Sequence, residues 1–178
     1  MLQNYNRWKV LKIFFETPSP EGGFQLREIS RKIKLAPTSV KIYLEGLSKE
    51  RLVIKAKHRV HGYPIYYGNT ESEKFKLLKK INTVTLLEES GLIKYLYDQC
   101  TPDAIILFGS ASKGEDTAKS DIDIFLLCKE KRLDLDKYKK SLKKEINLFF
   151  AENFSKLSPE FGNNIINGIV LKGYLKVF

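Results

Sequence analysis

Cysteine is scarce in this chain of 178 residues, where Cys100 and Cys128 are the only two. Two thiols cannot build a disulfide framework, and their spacing is not that of a metal-binding knuckle. A reducing cytoplasm is the expected setting, and Cys128, which closes an apolar run, reads as a core residue. No apolar stretch approaches the roughly 20 residues that a membrane-crossing helix needs. The first residues lack the basic, apolar and small-residue succession of a signal peptide, and no internal repeat or low-complexity tract occurs. Histidine is limited to His58 and His61. Both fall in one predicted turn and read as exposed turn residues rather than metal ligands. What remains is an ordinary globular composition, 43% hydrophobic, long enough for one large or two small domains.

Charge is present in excess and unevenly. The formal net charge is +10, and residues 1–70 hold 13 Lys and Arg against 5 Asp and Glu, a balance of +8. The remainder holds 18 against 16, a balance of only +2. General solubility charge would not concentrate in under half the chain, so the basic excess points to a polyanionic partner for the N-terminal part.

The densest chemical signal lies at residues 107–124, LFGSASKGEDTAKSDIDI. An apolar run from Ala104 to Phe108 leads into Gly109 and Ser110. Gly114 follows, then Asp121 and Asp123, which open a second apolar run ending at Cys128. Side chains alternate along a strand, so the two aspartates share one face while Ile122 and Ile124 share the other. Two like charges this close are costly unless something positive lies between them. A hard cation such as Mg2+ takes one or two carboxylates together with substrate phosphates. Gly109 permits close backbone approach to a ligand, and Ser110 offers a hydroxyl near a helix start, where free N–H groups favour anions. Lys113 is either a phosphate contact or a plain surface lysine.

This pattern resembles that of the minimal nucleotidyltransferases of the DNA polymerase β-like superfamily, over about residues 85–178. Gly109, Ser110, Gly114, Asp121 and Asp123 fall on the family's Gly-Ser, following glycine and Asp-x-Asp positions. The resemblance implies Mg2+-dependent transfer of a nucleoside monophosphate from a nucleoside triphosphate to a hydroxyl. Asp121 and Asp123 would be the catalytic metal ligands, and Gly109, Ser110, Lys113 and Gly114 would hold the nucleotide. The family also places a third carboxylate on a later strand, where it helps bind the metal that activates the attacking hydroxyl. Here that strand is Glu145-Ile146-Asn147-Leu148-Phe149-Phe150, and the third position falls on Asn147, a neutral and weaker ligand. Glu145, two residues away on the same strand face, could compensate. Nucleotide binding could thus survive while transfer is slow or absent.

The N-terminal part reads as a helix over 4–16 and a break at Thr17-Pro18-Ser19-Pro20-Glu21-Gly22-Gly23. A short helix then carries Leu26, Ile29 and Ile33. After Leu35-Ala36, a helix opened by Pro37 carries Val40, Leu44 and Leu47. Strands at Leu52–Lys57 and Ile65–Tyr67 flank a turn. This succession resembles the winged helix-turn-helix DNA-binding domains over about residues 4–69. The resemblance implies base reading by Thr38, Ser39, Lys41 and Ile42, with Lys55, Lys57 and Arg59 of the wing set against phosphates or the minor groove. A winged helix used for protein contacts or dimerisation is the alternative.

Residues 71–99 read as two helices parted at Ser90-Gly91. Such helices also mediate dimerisation in two-fold DNA-binding proteins, so a homodimer stays open. The lysine-rich stretch Lys137–Lys144 reads as a solvated helix face or as a hold on a polyanionic acceptor. Residues 155–178 read as a final helix and strand. The whole is expected to be an α+β protein with a winged helix-turn-helix at 1–70, a helical connector at 71–100 and a mixed-sheet nucleotidyltransferase domain at 101–178. The expected function is a cytoplasmic DNA-binding protein with a Mg2+-dependent nucleotidyltransferase domain. Two alternatives stand beside it: a transcription regulator whose second domain only senses nucleotide or is inactive, and a toxin–antitoxin-type enzyme acting on protein or tRNA.

Overall fold

The computed structural model describes residues 5–16, 23–58 and 60–176. Of the predicted break after the first helix, residues 17–22 lie outside the described residues, as does the wing residue Arg59. The chain divides into two compact units, residues 1–79 and 80–178.

The first unit is a winged helix-turn-helix. It runs α1 (Tyr5–Glu16), α2 (Leu26–Ile33), α3 (Pro37–Lys49), β1 (Val53–Lys57) and β2 (Pro64–Gly68). Apolar side chains at helical spacing meet in one core, with Val10, Leu11 and Phe14 of α1 fully buried against Ile29 of α2 and Val40, Leu44 and Leu47 of α3. α2 stops at Lys34, in the left-handed conformation at φ 55°. There the Ser30 Oγ donates to the Leu35 carbonyl at 2.5 Å and the Leu35 N–H returns to the Ser30 carbonyl. That tight turn sets up α3, which Pro37 opens at its first position, where a missing N–H does no harm. β1 and β2 pair antiparallel from Val53 opposite Gly68 to Lys57 opposite Pro64. Phe24 and Tyr66 exchange two backbone hydrogen bonds, adding a third extended segment to the wing.

α4 (Glu73–Glu89) contributes Phe75 and Leu78 to this core and Leu87 to the next. Ser90 and Gly91, the latter at φ 75°, separate it from α5 (Leu92–Cys100) as the sequence suggests.

The second unit is built on a four-stranded mixed sheet. Its strands are β3 (Ala104–Phe108), β4 (Ile122–Leu127), β5 (Ile146–Ala151) and β6 (Ile169–Gly173), in the order β5-β4-β3-β6. β3 runs antiparallel to both β4 and β6, while β4 and β5 are parallel, joined by a crossover that holds α7 (Asp136–Leu142). The short helix α6 (Gly109–Lys113) follows β3, and α8 (Pro159–Ile166) precedes β6. Every residue of β3 is buried, because both faces of the sheet are covered. Leu92, Ile93 and Leu96 of α5 and Tyr138 of α7 join one face with Ile105, Leu107, Ile122, Ile124 and Ile146. Ile165 and Phe161 of α8 join the other face with Ile106, Phe108 and Phe125. Cys128 is partly buried beside Cys100, and burial first, then that neighbour, pushes its thiol up to about 11. It therefore stays a thiol at neutral pH.

An ion pair helps tie down the long loop between α6 and β4. Lys144, just before β5, reaches Asp116 at 2.5 Å and the Thr117 carbonyl at 2.9 Å. The Asp116 side chain is only 6% exposed. Removing one partner of a buried pair leaves a charge poorly compensated. Lys144→Met is accordingly expected to lower unfolding free energy by about 2 kcal/mol, read by denaturant melts, whereas Lys143→Met, at an exposed position, should leave it unchanged.

Candidate functional site

The sheet register assembles the site. Asp123 stands opposite Phe108 on β3 and opposite Asn147 on β5. Asp121 lies just ahead of β4, and the Ile122 N–H bonds the Glu145 carbonyl at 2.9 Å. Ile122 and Ile124 are buried while Asp121 is exposed and Asp123 half-buried. The two carboxylates thus share a face, as strand alternation requires. Across the parallel pair, the Asn147 Nδ2 donates to Asp121 Oδ2 at 3.2 Å and to Asp123 Oδ1 at 3.0 Å. One neutral amide therefore bridges both acids, offering a partial positive edge to two negative groups.

Gly109 closes the other side of Asp123. Its φ is 71°, a conformation that side chains avoid, and a Cβ there would lie 2.6 Å from Asp123 Oδ2. This position needs glycine both for its backbone angle and for its contact with the acid. Ser110 is half-buried in the first turn of α6, and the Ser112 Oγ donates to the Gly109 carbonyl at 2.8 Å. Gly114 ends α6 at φ 74°. Lys113 is exposed.

Gly109, Asp121 and Asp123 are brought together as the sequence suggests. Glu145 is paired with Lys139 at 2.6 Å, and its side chain is 66% exposed. That hydrogen bond is the foremost reason the Lys139 ammonium is held above its usual range. Among the described residues, no group of three or more His, Cys, Asp or Glu converges as a metal cage. The acid pair with its amide bridge is what the site offers. Sequence reasoning placed Asn147 at the third position but not its two hydrogen bonds. Those depend on the β4–β5 register, which no local pattern announces. The Lys144–Asp116 tie was also missed, its partners lying 28 residues apart.

In the first unit, Thr38, Lys41 and Ile42 are exposed on α3 and Ser39 is half-buried. Ile42 is 67% exposed. Lys41 lies 4.0 Å from Glu45, one turn on, a spacing worth little at this exposure. On β1, Lys55 and Lys57 point outward, alternating with half-buried Ile54 and Ala56. His58, His61 and Tyr63 stack on one another at the hairpin, with His58 and Tyr63 centroids 4.7 Å apart.

Residues 90–173, most of the mixed-sheet unit, match the family model described as polymerase beta, nucleotidyltransferase. None of the curated proteins matches the chain. Among solved structures, the crystal structure of the PcaV transcriptional regulator from Streptomyces coelicolor in complex with its natural ligand is similar at 15% identity. That match covers 53% of this chain and 71% of that one, with a TM-score of 0.35.

Gly109 and Gly114 both sit at positive φ, and a Cβ on Gly109 would meet Asp123. Each change to Ala should cost about 1–2 kcal/mol of stability. Only Gly109→Ala should also shift the side-chain amide resonances of Asn147 in NMR spectra, because the displaced carboxylate is that amide's acceptor.

Proposed function

We propose that this is a DNA-binding protein whose mixed-sheet unit holds a nucleoside triphosphate with Mg2+ and transfers its nucleoside monophosphate to a hydroxyl. The observation that carries the reading is the pairing of Asp121 with Asp123 on one strand face, hard against the Gly109 turn. The donor set fits one such ion, since Mg2+ is commonly held by one or two protein carboxylates with phosphate and water oxygens completing its shell. When bound, the ion supplies charge neutralisation at the phosphates.

The chain's own residues do the rest. Gly109 leaves room for backbone to approach phosphate, and Ser110 offers a hydroxyl to a phosphate oxygen. Asn147 holds the two carboxylates in register through one amide. In the transfer, the acceptor oxygen bonds to the α-phosphorus, the bond to the bridging oxygen breaks and pyrophosphate leaves. The proton of the hydroxyl must go to a base, and an amide cannot take it. Asp121 or Asp123 must serve, or the proton must leave to water, so a slow reaction is expected.

That same amide favours a second reading, a regulator whose mixed-sheet unit senses a nucleotide without turning it over. Two acids already bridged by an N–H donor are stabilised as they stand. The DNA role rests on the +8 balance of residues 1–70 and on the exposed Thr38, Lys41, Ile42, Lys55 and Lys57. Of these, Ile42 suits an apolar contact in the major groove. A cytoplasmic setting belongs to the same proposal.

Calorimetry should find nucleoside triphosphate binding that requires Mg2+ and that Asp123→Ala abolishes. Binding indifferent to Mg2+ and to that change would sink the reading. Asn147→Asp restores a proton-accepting carboxylate and should raise transfer by about a hundredfold, measured with labelled nucleotide. No gain with that variant would favour the sensor. Duplex DNA affinity should fall steeply with salt, the slope shrinking by about 1 when Lys41 becomes Ala, and a flat salt response would argue against the DNA role.

A further inference from the structure

Cys100 and Cys128 take no part in the proposed chemistry, yet the fold brings them together from two different elements. Cys100 is the last residue of α5, and Cys128 directly follows β4. Thr101, left-handed at φ 44°, ends the helix with its N–H on the Tyr97 carbonyl at 2.8 Å. The chain then returns to the sheet, where the Asp103 N–H bonds the Leu127 carbonyl at 3.1 Å. From the other side, the Lys131 ammonium donates to the Gln99 carbonyl at 2.7 Å. These two bonds flank the cysteines and hold the end of α5 against the end of β4.

Both side chains pack against the apolar cluster that holds Leu96 and Leu126. The Cys128 thiol lies within side-chain hydrogen-bond reach of the Cys100 thiol. Two thiols in contact differ from any other pair of small side chains in that a bond can close between them. A disulfide needs side chains already near each other, so that closure asks little of the backbone. Both cysteines are half-buried, and Gln99, Thr101 and Lys129 beside them are exposed. The pair therefore lies toward the surface of its unit, not deep within it.

We propose that Cys100 and Cys128 form a redox modification site, closed by exchange with a small disulfide such as glutathione disulfide, and that the bond staples α5 to the end of β4. In the first step the Cys100 sulfur attacks one sulfur of glutathione disulfide. A mixed disulfide forms, and one glutathione leaves as its thiol. In the second step the Cys128 sulfur attacks the Cys100 sulfur, and the other glutathione leaves. The protein gives up two protons and two electrons, and both end on the two glutathione thiols. α5 supplies Leu92, Ile93 and Leu96 to the sheet face that holds Ile122 and Ile124. The staple thus holds the helix that covers the back of the acid-bearing strand. It stands whether or not the unit handles a nucleotide.

The surroundings set the pace of the exchange. With its thiol pushed up to about 11, Cys128 is almost wholly protonated at neutral pH and attacks slowly. That makes Cys100 the first attacker and closure the slow step. The same burial slows the return, because a thiol that holds its proton tightly is a poor leaving group when the bond is attacked at Cys100. The bond is slow to form and slow to be lost, so it records sustained oxidation and ignores a brief pulse.

The test equilibrates the full chain with glutathione and glutathione disulfide at set ratios, folded and in concentrated urea. Acid quenches the exchange, and mass spectrometry counts the reduced, glutathione-bound and closed forms. Whatever the bond adds to the stability of the fold, the fold adds to the formation of the bond. The equilibrium constant for closure should therefore be about a hundredfold larger in the folded protein than in urea. Cys100→Ser and Cys128→Ser should each abolish the closed form and leave at most a glutathione adduct on the remaining thiol. A constant no larger folded than unfolded would overturn the proposal. So would a glutathione adduct that persists in the folded wild type, or a disulfide between two chains on a non-reducing gel. Because the wild type is compared with itself, a variant that fails to fold leaves the test intact.

Discussion

The site turns on a single amide. Asn147 stands opposite Asp123 across the parallel strands β4 and β5, and its Nδ2 donates to both Asp121 and Asp123. Without that bridge, two carboxylates two residues apart on one strand face would repel each other. With it, the pair is held in a fixed geometry by a neutral group. The bridge in turn needs the β4–β5 register, which the crossover through α7 and the Lys144–Asp116 tie help to fix. Gly109 completes the arrangement from the β3 side, since any side chain there would collide with the Asp123 carboxylate.

The same amide sets the chemical character proposed for the unit. An amide donates well and accepts a proton not at all. A carboxylate at this position would add a negative charge and a base, while the amide adds neither. The acid pair is thus suited to hold a cation that arrives with a nucleotide, and less suited to deprotonate an acceptor. On the proposed reading, one atom type at position 147 separates nucleotide binding from turnover.

Much of this was legible in the chain. The parity of Asp121 and Asp123 along a strand required a common face, and the buried Ile122 and Ile124 bear that out. Pro37 opens a helix, and Ser90-Gly91 parts two helices, because both sites obey local backbone rules. The apolar spacing of α1, α2 and α3 led to one core. What was hidden was non-local. Glu145 has the parity of Asn147 but is drawn to Lys139, six residues back on α7, and no pattern along the strand foretells that competition. The lysine run 137–144 looked like one feature. In the fold it splits, with Lys144 anchoring a loop, Lys139 pairing with Glu145, and Lys140 and Lys143 facing open space with Lys119. The pairing of β4 with β5 decided which lysines meet.

The most direct test of the central claim is paramagnetic relaxation with Mn2+ in place of Mg2+, recorded on amide resonances with and without a non-hydrolysable nucleoside triphosphate. The account predicts broadening centred on Gly109, Asp121, Asp123 and Asn147, strong only when the nucleotide is present. Broadening centred elsewhere, or none with nucleotide at saturation, would contradict it.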